Sequence, residues 1–206
     1  PPHLFLENFM KSSFMRPALA LALVVGLSAC GGKASFTVGG TINKLAYPGL
    51  VLANGSDTVA PAANATTFAF AKGVDYGTTY DVTVKTQPAH QTCEIPTGNG
   101  KDTAGRMATI NIFVNCSTNA YAIGGTVTGL TAEGLVLTNG STGGMQAVPK
   151  DSLTFTFLNN PVTYGDTFGV TVLTQPAGLS CSVANGTRTM GDAAVTDIAV
   201  ACVPKP

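Results

Sequence analysis

The 206-residue chain contains an internal duplication, which constrains its fold more than any other feature. Residues 39–56 (GGTINKLAYPGLVLANGS) and 124–141 (GGTVTGLTAEGLVLTNGS) are identical at 11 of 18 positions. Residues 76–89 (YGTTYDVTVKTQPA) and 164–177 (YGDTFGVTVLTQPA) are identical at 10 of 14 positions. Because two separate blocks recur in the same order, the chain is predicted to hold two units of one fold in tandem.

The duplication also sets the expected boundaries. The first unit is predicted over 36–116 and the second over 121–203, with 117–120 as a linker and 30–35 as a tether before the first unit. Units of about 80 residues can fold independently, but their hydrophobic cores are small.

Composition and periodicity both favour β-strands. Charged residues make up only 11% of the chain and there are 24 glycines, which is typical of short strands joined by tight turns. Alternation places Tyr80, Val82 and Val84 on one face of a strand. Further buried faces are predicted at Phe168 with Val170 and Val172, at Phe68 with Phe70, and at Phe155 with Phe157. The predicted fold class is all-β, with two tandem antiparallel β-sandwiches.

Two Asn-Gly pairs indicate tight turns. Asn54 and Gly55 follow the apolar GLVL segment in the first copy, and Asn139 and Gly140 follow it in the second. Glycine supplies the positive φ that such turns require.

The N-terminal segment has the pattern of an export signal. Lys11 and Arg16 precede a run of small and apolar residues from Ala18 to Ala29. This run is shorter than the roughly 20 residues that a membrane-spanning helix needs. We therefore expect residues 1–29 to be a leader and signal peptide that is removed on export.

The four residues Leu27, Ser28, Ala29 and Cys30 resemble the lipobox of bacterial lipoproteins at every position. The resemblance implies that the Cys30 thiol receives a diacylglyceryl group, that the chain is cut after Ala29, and that the new amino group is acylated. Several acyl chains then anchor a protein stably to a membrane. Gly31 stands where inner-membrane retention signals typically have Asp, which implies the outer membrane of a Gram-negative cell, with the protein periplasmic or surface-exposed. An ordinary secretory signal with a chance cysteine is the alternative.

The other four cysteines fall two in each copy, at Cys93 and Cys116 and at Cys181 and Cys202. Four cysteines permit three pairings, and the duplication favours Cys93 with Cys116 and Cys181 with Cys202. An exported chain reaches an oxidising compartment in which disulfides persist. A zinc site is not expected, because there is no Cys-x-x-Cys pair and His90 is the one histidine after Cys30.

The repeated motifs resemble the immunoglobulin-like sandwich modules of bacterial surface proteins, including the carboxypeptidase-regulatory-like and fibronectin-type variants. The resemblance rests on GGTVxGL, on GLVL, and on YGxT followed by an aromatic residue and VxV. It implies an Ig-like sandwich for each copy over 36–202. The Thr-Gln-Pro-Ala turn followed by two cysteines also resembles a repeat of bacterial envelope lipoproteins. These motifs are structural and imply no ligand.

No catalytic or cofactor-binding residues are predicted. His90, the candidate base of a Ser-His-Asp site, stands where the second copy has Gly178, so it is interpreted as an exposed turn residue. The glycine-rich segment 96–105 fails as a phosphate loop, because Ile95 replaces the first glycine and Asp102 replaces the Ser or Thr after the lysine.

The charged residues do not favour nucleic-acid binding or calcium binding. The formal net charge is zero, with 11 Lys and Arg against 11 Asp and Glu, so no nucleic-acid partner is expected. Asp75, Asp81 and Asp166 lie near turns, but they do not reach the number of oxygen ligands that calcium requires. No metal site is predicted.

The sequence thus predicts a non-enzymatic envelope lipoprotein that serves as a structural or interaction module and meets the membrane through its lipid anchor. The alternative is a ligand-binding surface lipoprotein that recognises a glycan or a partner protein through the Thr-Gln-Pro-Ala turns and paired loops. A hydrolase is a third class. The candidate interaction residues are Tyr76, Gln87, Tyr164 and Gln175.

Overall fold

The computed structural model describes residues 34–140 and 143–206. The predicted leader, 1–29, and the predicted lipidation site, Cys30, lie outside the described residues. In the first half the strands are β1 (Ser35–Phe36), β2 (Gly39–Asn43), β3 (Val51–Asn54), β4 (Asp57–Val59), β5 (Thr67–Ala69), β6 (Val74–Asp75), β7 (Thr79–Thr86), β8 (Gln91–Glu94), β9 (Lys101–Thr103) and β10 (Ile112–Thr118). In the second half they are β11 (Ala120–Tyr121), β12 (Ile123–Thr128), β13 (Leu135–Asn139), β14 (Met145–Val148), β15 (Thr154–Thr156), β16 (Val162–Thr163), β17 (Thr167–Thr174), β18 (Leu179–Ala184), β19 (Thr187–Thr189) and β20 (Val195–Pro204).

The protein is all-β, and its two halves have the same strand order. The four-stranded sheets are β5-β2-β10-β8 and β4-β3-β7-β9 in the first half. Their counterparts in the second half are β15-β12-β20-β18 and β14-β13-β17-β19. Each half also has a two-residue ribbon, β1 with β6 and β11 with β16. Strands of two or three residues, such as β1 and β6, are too short to show an alternation in the sequence.

Each half has one hydrophobic core between its two sheets. Ile42 and Val114 from one sheet meet Leu52 and Val82 from the other in the first half. Val127, Leu137, Val170 and Val200 play the same part in the second half. The predicted inward faces are confirmed at these buried positions: Tyr80, Val82, Phe68, Phe70, Phe155, Phe157, Phe168 and Val170.

One strand pair in each half is parallel, within sheets that are otherwise antiparallel. β2 pairs with β10, and β12 pairs with β20, in parallel. Such a pair needs no tight turn, because its strands are the second and the last of their half and the intervening chain forms the rest of the sandwich. Gly40 and Gly125 permit the pairing, since a Cβ at either position would overlap the carbonyl of Ile112 or Ile198. The second glycine of the repeated GGT motif is thereby explained.

The remaining local predictions can be compared with the turns and the linker. Gly55 and Gly140 have the positive φ that was predicted for the two turns, at 60° and 61°, whereas Asn54 and Asn139 are the last residues of β3 and β13. β10 continues to Thr118 and β11 begins at Ala120, so Asn119 alone lies between strands in the segment expected as a four-residue linker. Lys33–Pro206 form one compact unit.

Candidate functional site

The two disulfides fasten an edge strand in each half. Cys93 bonds to Cys116 with an S–S distance of 2.04 Å, and Cys181 bonds to Cys202 at 2.05 Å. In each case the two cysteines face each other directly in the antiparallel ladder, β8 with β10 and β18 with β20. These are the pairs that the duplication favoured over the other pairings.

Gln87 and Gln175, two of the candidate interaction residues, hold the strands that carry these disulfides. The Gln87 amide nitrogen donates to the Cys93 carbonyl at 3.0 Å, and its oxygen accepts from the Cys93 N–H at 2.7 Å. Gln175 makes the same two bonds to Cys181, at 2.9 and 2.7 Å. Each amide therefore acts as a substitute ladder partner for a strand at the edge of its sheet. A binding role for the two glutamines stays a prediction.

The other two candidates, Tyr76 and Tyr164, occupy the same turn in the two halves. The Tyr76 N–H donates to the carbonyl of Ala34, and the Tyr164 N–H donates to the carbonyl of Asn119, both at 2.8 Å. Each tyrosine thus marks the end at which the chain comes into its half, which we call the leading end. The opposite end, which carries the turn after the Thr-Gln-Pro-Ala segment, we call the trailing end.

The surroundings of these tyrosines differ sharply. Tyr164 stacks on the imidazole of His90, with ring centroids 3.8 Å apart and an angle of 5° between the planes. Tyr47 meets both rings edge-on, at 5.1 Å from His90 and 5.9 Å from Tyr164. Tyr76 is 67% exposed and has only a tilted contact with Phe36 at 6.4 Å among the described aromatic rings. The leading end of the second half is therefore docked on the first half, whereas the leading end of the first half is free of such a neighbour within the described residues.

His90 also bonds across the junction. Its Nδ1 lies 2.8 Å from Asp192 Oδ1, and because a carboxylate only accepts, the imidazole is the donor. The His90 side chain is 27% exposed, so the interpretation as an exposed turn residue was wrong about exposure although the residue does lie in a turn. Tyr47, His90, Tyr164 and Asp192 form what we call the junction cluster.

His90 adopts a backbone conformation that favours glycine. Its φ is +57°, and the equivalent Gly178 has φ of +70°. A side chain in this left-handed region costs about 1 kcal/mol or more relative to glycine. The second half avoids this cost because it has glycine at the equivalent position. The histidine occurs in the first half, where its ring has partners in the second half.

Gln91 positions the Tyr47 loop. The Gln91 side chain is 2% exposed, its oxygen accepts from the N–H groups of Ala46 and Tyr47 at 2.8 and 3.1 Å, and its nitrogen donates to the Lys44 carbonyl at 2.7 Å. The equivalent residue of the second half is the apolar Leu179. A buried amide with three backbone bonds fixes the loop, and with it the tyrosine that flanks His90.

Asn119 joins the halves through its backbone and its side chain. Its N–H donates to the His90 carbonyl at 2.9 Å while its own carbonyl accepts from Tyr164. Its side-chain oxygen accepts from the Thr92 hydroxyl at 2.8 Å. The single residue between β10 and β11 is therefore held from both sides.

Sequence reasoning missed Gln91, Asn119 and Asp192 as members or supports of this junction. A usable signal was present, namely the positions at which two otherwise similar copies differ. Tyr47 aligns with Ala132, His90 with Gly178, and Gln91 with Leu179. All three differences fall on the trailing end, which is docked in the first half.

Two electrostatic features lie away from the junction. Hydrogen bonding to Arg188 lowers the pKa of Asp197, and the same bond raises the pKa of Arg188; both groups are exposed. Burial, with a further contribution from the charge of Asp102, raises the pKa of Tyr80.

Residues 34–140 and 143–206 contain no group of three or more His, Cys, Asp or Glu side chains arranged to hold a metal ion. In that same part of the chain, no helix has the length and apolar character needed to cross a bilayer.

Comparisons with known proteins give only distant likenesses. No family profile and no curated protein matches the chain. Among solved structures, it is similar to the major pilin protein T-13 of Streptococcus pyogenes at 11% identity and a TM-score of 0.28. It is similar to the major pilin protein T3.2 of the same organism at 10% identity and a TM-score of 0.26. Each alignment covers 84% of this chain and 98% of the pilin. TM-scores this low carry no argument about function.

Proposed function

We propose that the protein is a membrane-anchored envelope lipoprotein that acts as a non-enzymatic structural module, in which two sandwich units form one stiff spacer. The observation that carries the spacer role is the junction, where the single residue Asn119 separates the strands and bonds to both halves. Aromatic stacking and the His90–Asp192 bond add side-chain contacts to this backbone connection. A junction held at several points resists bending better than a flexible linker does.

The anchoring part of the proposal rests on the sequence from Leu27 to Cys30. Two disulfides support residence outside the cytoplasm, since such bonds persist in oxidising compartments. The proposed outer-membrane location, facing either the periplasm or the cell surface, is supported by Gly31 after Cys30, where inner-membrane retention signals typically have Asp.

The anchor is tested by the intact mass of the protein extracted from the membrane of a Gram-negative host, beside a Cys30→Ser variant. We expect a mature chain that begins at acylated Cys30, and a variant that is neither acylated nor cut after Ala29. An unmodified wild-type chain cut elsewhere would contradict the lipoprotein proposal.

The spacer role is tested separately by small-angle scattering of the soluble chain 31–206, which lacks the leader and the lipidation site. A stiff arrangement predicts one maximum dimension that is unchanged by temperature below unfolding. A distribution of dimensions that widens on mild heating would show that the halves move independently.

A second candidate function, recognition of a glycan or an envelope protein, is favoured by one observation. Tyr76 is 67% exposed, whereas Tyr47 and Tyr164 are engaged with His90. An exposed aromatic ring is a suitable platform for a sugar or for a protein side chain. A glycan and envelope-protein pull-down with Tyr76→Ser tests this role, and Leu158→Ser, which changes a 77% exposed residue in the other half, is the matched control.

A further inference from the structure

The free leading end of the first half differs in charge from the docked leading end of the second. The backbone pattern fixes the equivalence, because the Gly77 N–H donates to Ala104 in one half and the Gly165 N–H donates to Met190 in the other. Two residues further on, the first half has Arg106 and the second half has Asp192. The residue that accepts a hydrogen bond from His90 in one half is thus replaced by a cation in the other.

The free leading end combines this cation with exposed apolar groups. Tyr76 is 67% exposed and Met107 is 68% exposed, and the Arg106 side chain is 74% exposed. The Tyr76 ring lies against Gly105, where a Cβ would collide with it, so the tyrosine and the loop carrying Arg106 and Met107 are adjacent. An aromatic ring, a flexible apolar side chain and a guanidinium together suit the boundary between lipid headgroups and acyl chains.

The four charged groups considered on this end, two cationic and two acidic with Arg106 included, sum to a net charge of zero. Asp102 Oδ1 is 3.3 Å from Arg106 Nη1, which uses one of the five N–H donors of the guanidinium. Lys72 lies in the bend before β6 and Asp75 ends β6; both are exposed and they have opposite charges. The free donors of Arg106 therefore remain available for an anionic oxygen such as that of a lipid phosphate.

The position of Cys30 brings this end close to a membrane if the proposed lipidation is correct, and the inference rests on that proposal. Cys30 is four residues before Ala34, so the connecting chain spans at most about 14 Å. The carbonyl of Ala34 accepts from Tyr76 at 2.8 Å. The headgroup layer on one side of a bilayer is about 5–8 Å thick, so the tether keeps the anchored end within about 6–9 Å of the outer boundary of that layer.

We infer that the surface formed by Tyr76, Arg106 and Met107 docks on anionic phospholipid and holds the first half against the bilayer, with the second half on the side away from it. In the second half, the same end of the sandwich docks on a neighbouring protein unit. In the first half, the lipid surface takes the place of that neighbour, and Arg106 takes the place of the acidic residue that a histidine partner requires.

Two methionines allow a matched footprinting experiment. Met107 is 68% exposed at the docking surface, and Met145 is 69% exposed in the second half. The acylated protein is reconstituted in vesicles of phosphatidylethanolamine and phosphatidylglycerol, treated with hydroxyl radicals, and mapped by peptide mass spectrometry. The soluble chain 31–206, which lacks the leader and the lipidation site, is the reference.

We expect oxidation of Met107 to slow several-fold on vesicles relative to Met145, whereas the two should react at similar rates in the soluble reference. Arg106→Asp should remove much of this protection on vesicles with phosphatidylglycerol and have little effect on vesicles of phosphatidylcholine alone. Equal oxidation of Met107 and Met145 on vesicles would overturn the inference. Protection of Met107 only in whole envelopes, and not on vesicles, would also overturn it, in favour of a protein partner.

A second mode of attachment distinguishes failure of the proposed lipidation from failure of the docking surface. If the intact mass shows no acylation, the Cys30 thiol of the full chain is coupled to a maleimide lipid in the same vesicles. Protection of Met107 would then support the docking surface although the lipoprotein proposal had failed. Absence of Met107 protection on the vesicles with the maleimide lipid would refute the docking surface itself.

Discussion

The stacking of His90 on Tyr164 predicts a measurable coupling between the two halves. We consider a double-mutant cycle of His90→Ala and Tyr164→Ala, in which the alanine at position 90 retains most of the backbone strain of the left-handed conformation. Because that strain is present throughout the cycle at the 90 position, it cancels in the coupling energy. What remains is the interaction between the two rings, whose centroids are 3.8 Å apart.

The expected coupling is about 0.5–1.5 kcal/mol in the free energy of unfolding, the range for aromatic pairs beyond their buried area. Urea unfolding followed by circular dichroism measures it, since the signal does not depend on the tyrosine that is removed. Additivity within about 0.5 kcal/mol would mean no interaction and would refute the reasoning.

The control cycle pairs His90→Ala with Tyr76→Ala, which removes the equivalent ring at the free leading end. No coupling is expected there. His90→Gly gives a second check, because glycine relieves the strain at φ +57°. The free energy of unfolding of the His90→Gly variant should exceed that of the His90→Ala variant by about 1 kcal/mol. A glycine variant less stable than the alanine variant would contradict the account of this turn.

Three further perturbations have defined outcomes. Replacing Cys93 and Cys116 with alanine opens a loop of sequence separation 23 and should lower the free energy of unfolding by about 3 kcal/mol in urea; a loss under about 1 kcal/mol would contradict the chain-entropy argument. Gln175→Leu removes two hydrogen bonds to a strand backbone and should lower the free energy of unfolding by about 1–2 kcal/mol in the same assay. An unchanged midpoint would argue against the role of Gln175 as a substitute ladder partner. Burial and Asp102 raise the pKa of Tyr80 above 10.0 in the folded state, so its contribution is complete below the unfolded pKa and is lost as pH rises toward the folded pKa. Tyr80→Phe should therefore weaken the alkaline decline of stability between about pH 9 and 11, and an identical decline in both proteins would oppose this.

Patterns with a local cause were predictable from the sequence. The alternation of Tyr80 and Val82 reports the two faces of a strand, because side chains alternate along any strand whatever its partner. The positive φ at Gly55 follows from a two-residue turn in the same way. The disulfide pairs followed from duplication, since the same two positions in each copy favour a bond within the copy.

Features that depend on which strands become neighbours were not predictable. The parallel pairing of β2 with β10 depends on the path of the whole half, and alternation contains no information about the partner. The pairing left a trace at Gly40, where only glycine fits against the Ile112 carbonyl, but that reason is visible only once the strands are adjacent.

The junction contacts of His90 were also not predictable from the sequence. His90 and Gly178 occupy one position in two copies, and the difference was interpreted as freedom to vary in an exposed turn. The histidine instead has two aromatic neighbours and a carboxylate acceptor that are distant in sequence. A difference between copies can thus mark a position that has acquired a partner.

The trailing end of the second half has implications for how many units such a chain can align. Where the first half offers Tyr47, His90 and Gln91 to the unit that follows, the second half offers Ala132, Gly178 and Leu179. A tyrosine of the Tyr164 type would find neither a stacking ring nor a buried amide bonded to the flanking loop there. The tandem is therefore directional, because the three side chains that receive a following unit are present in the first half and are replaced in the second.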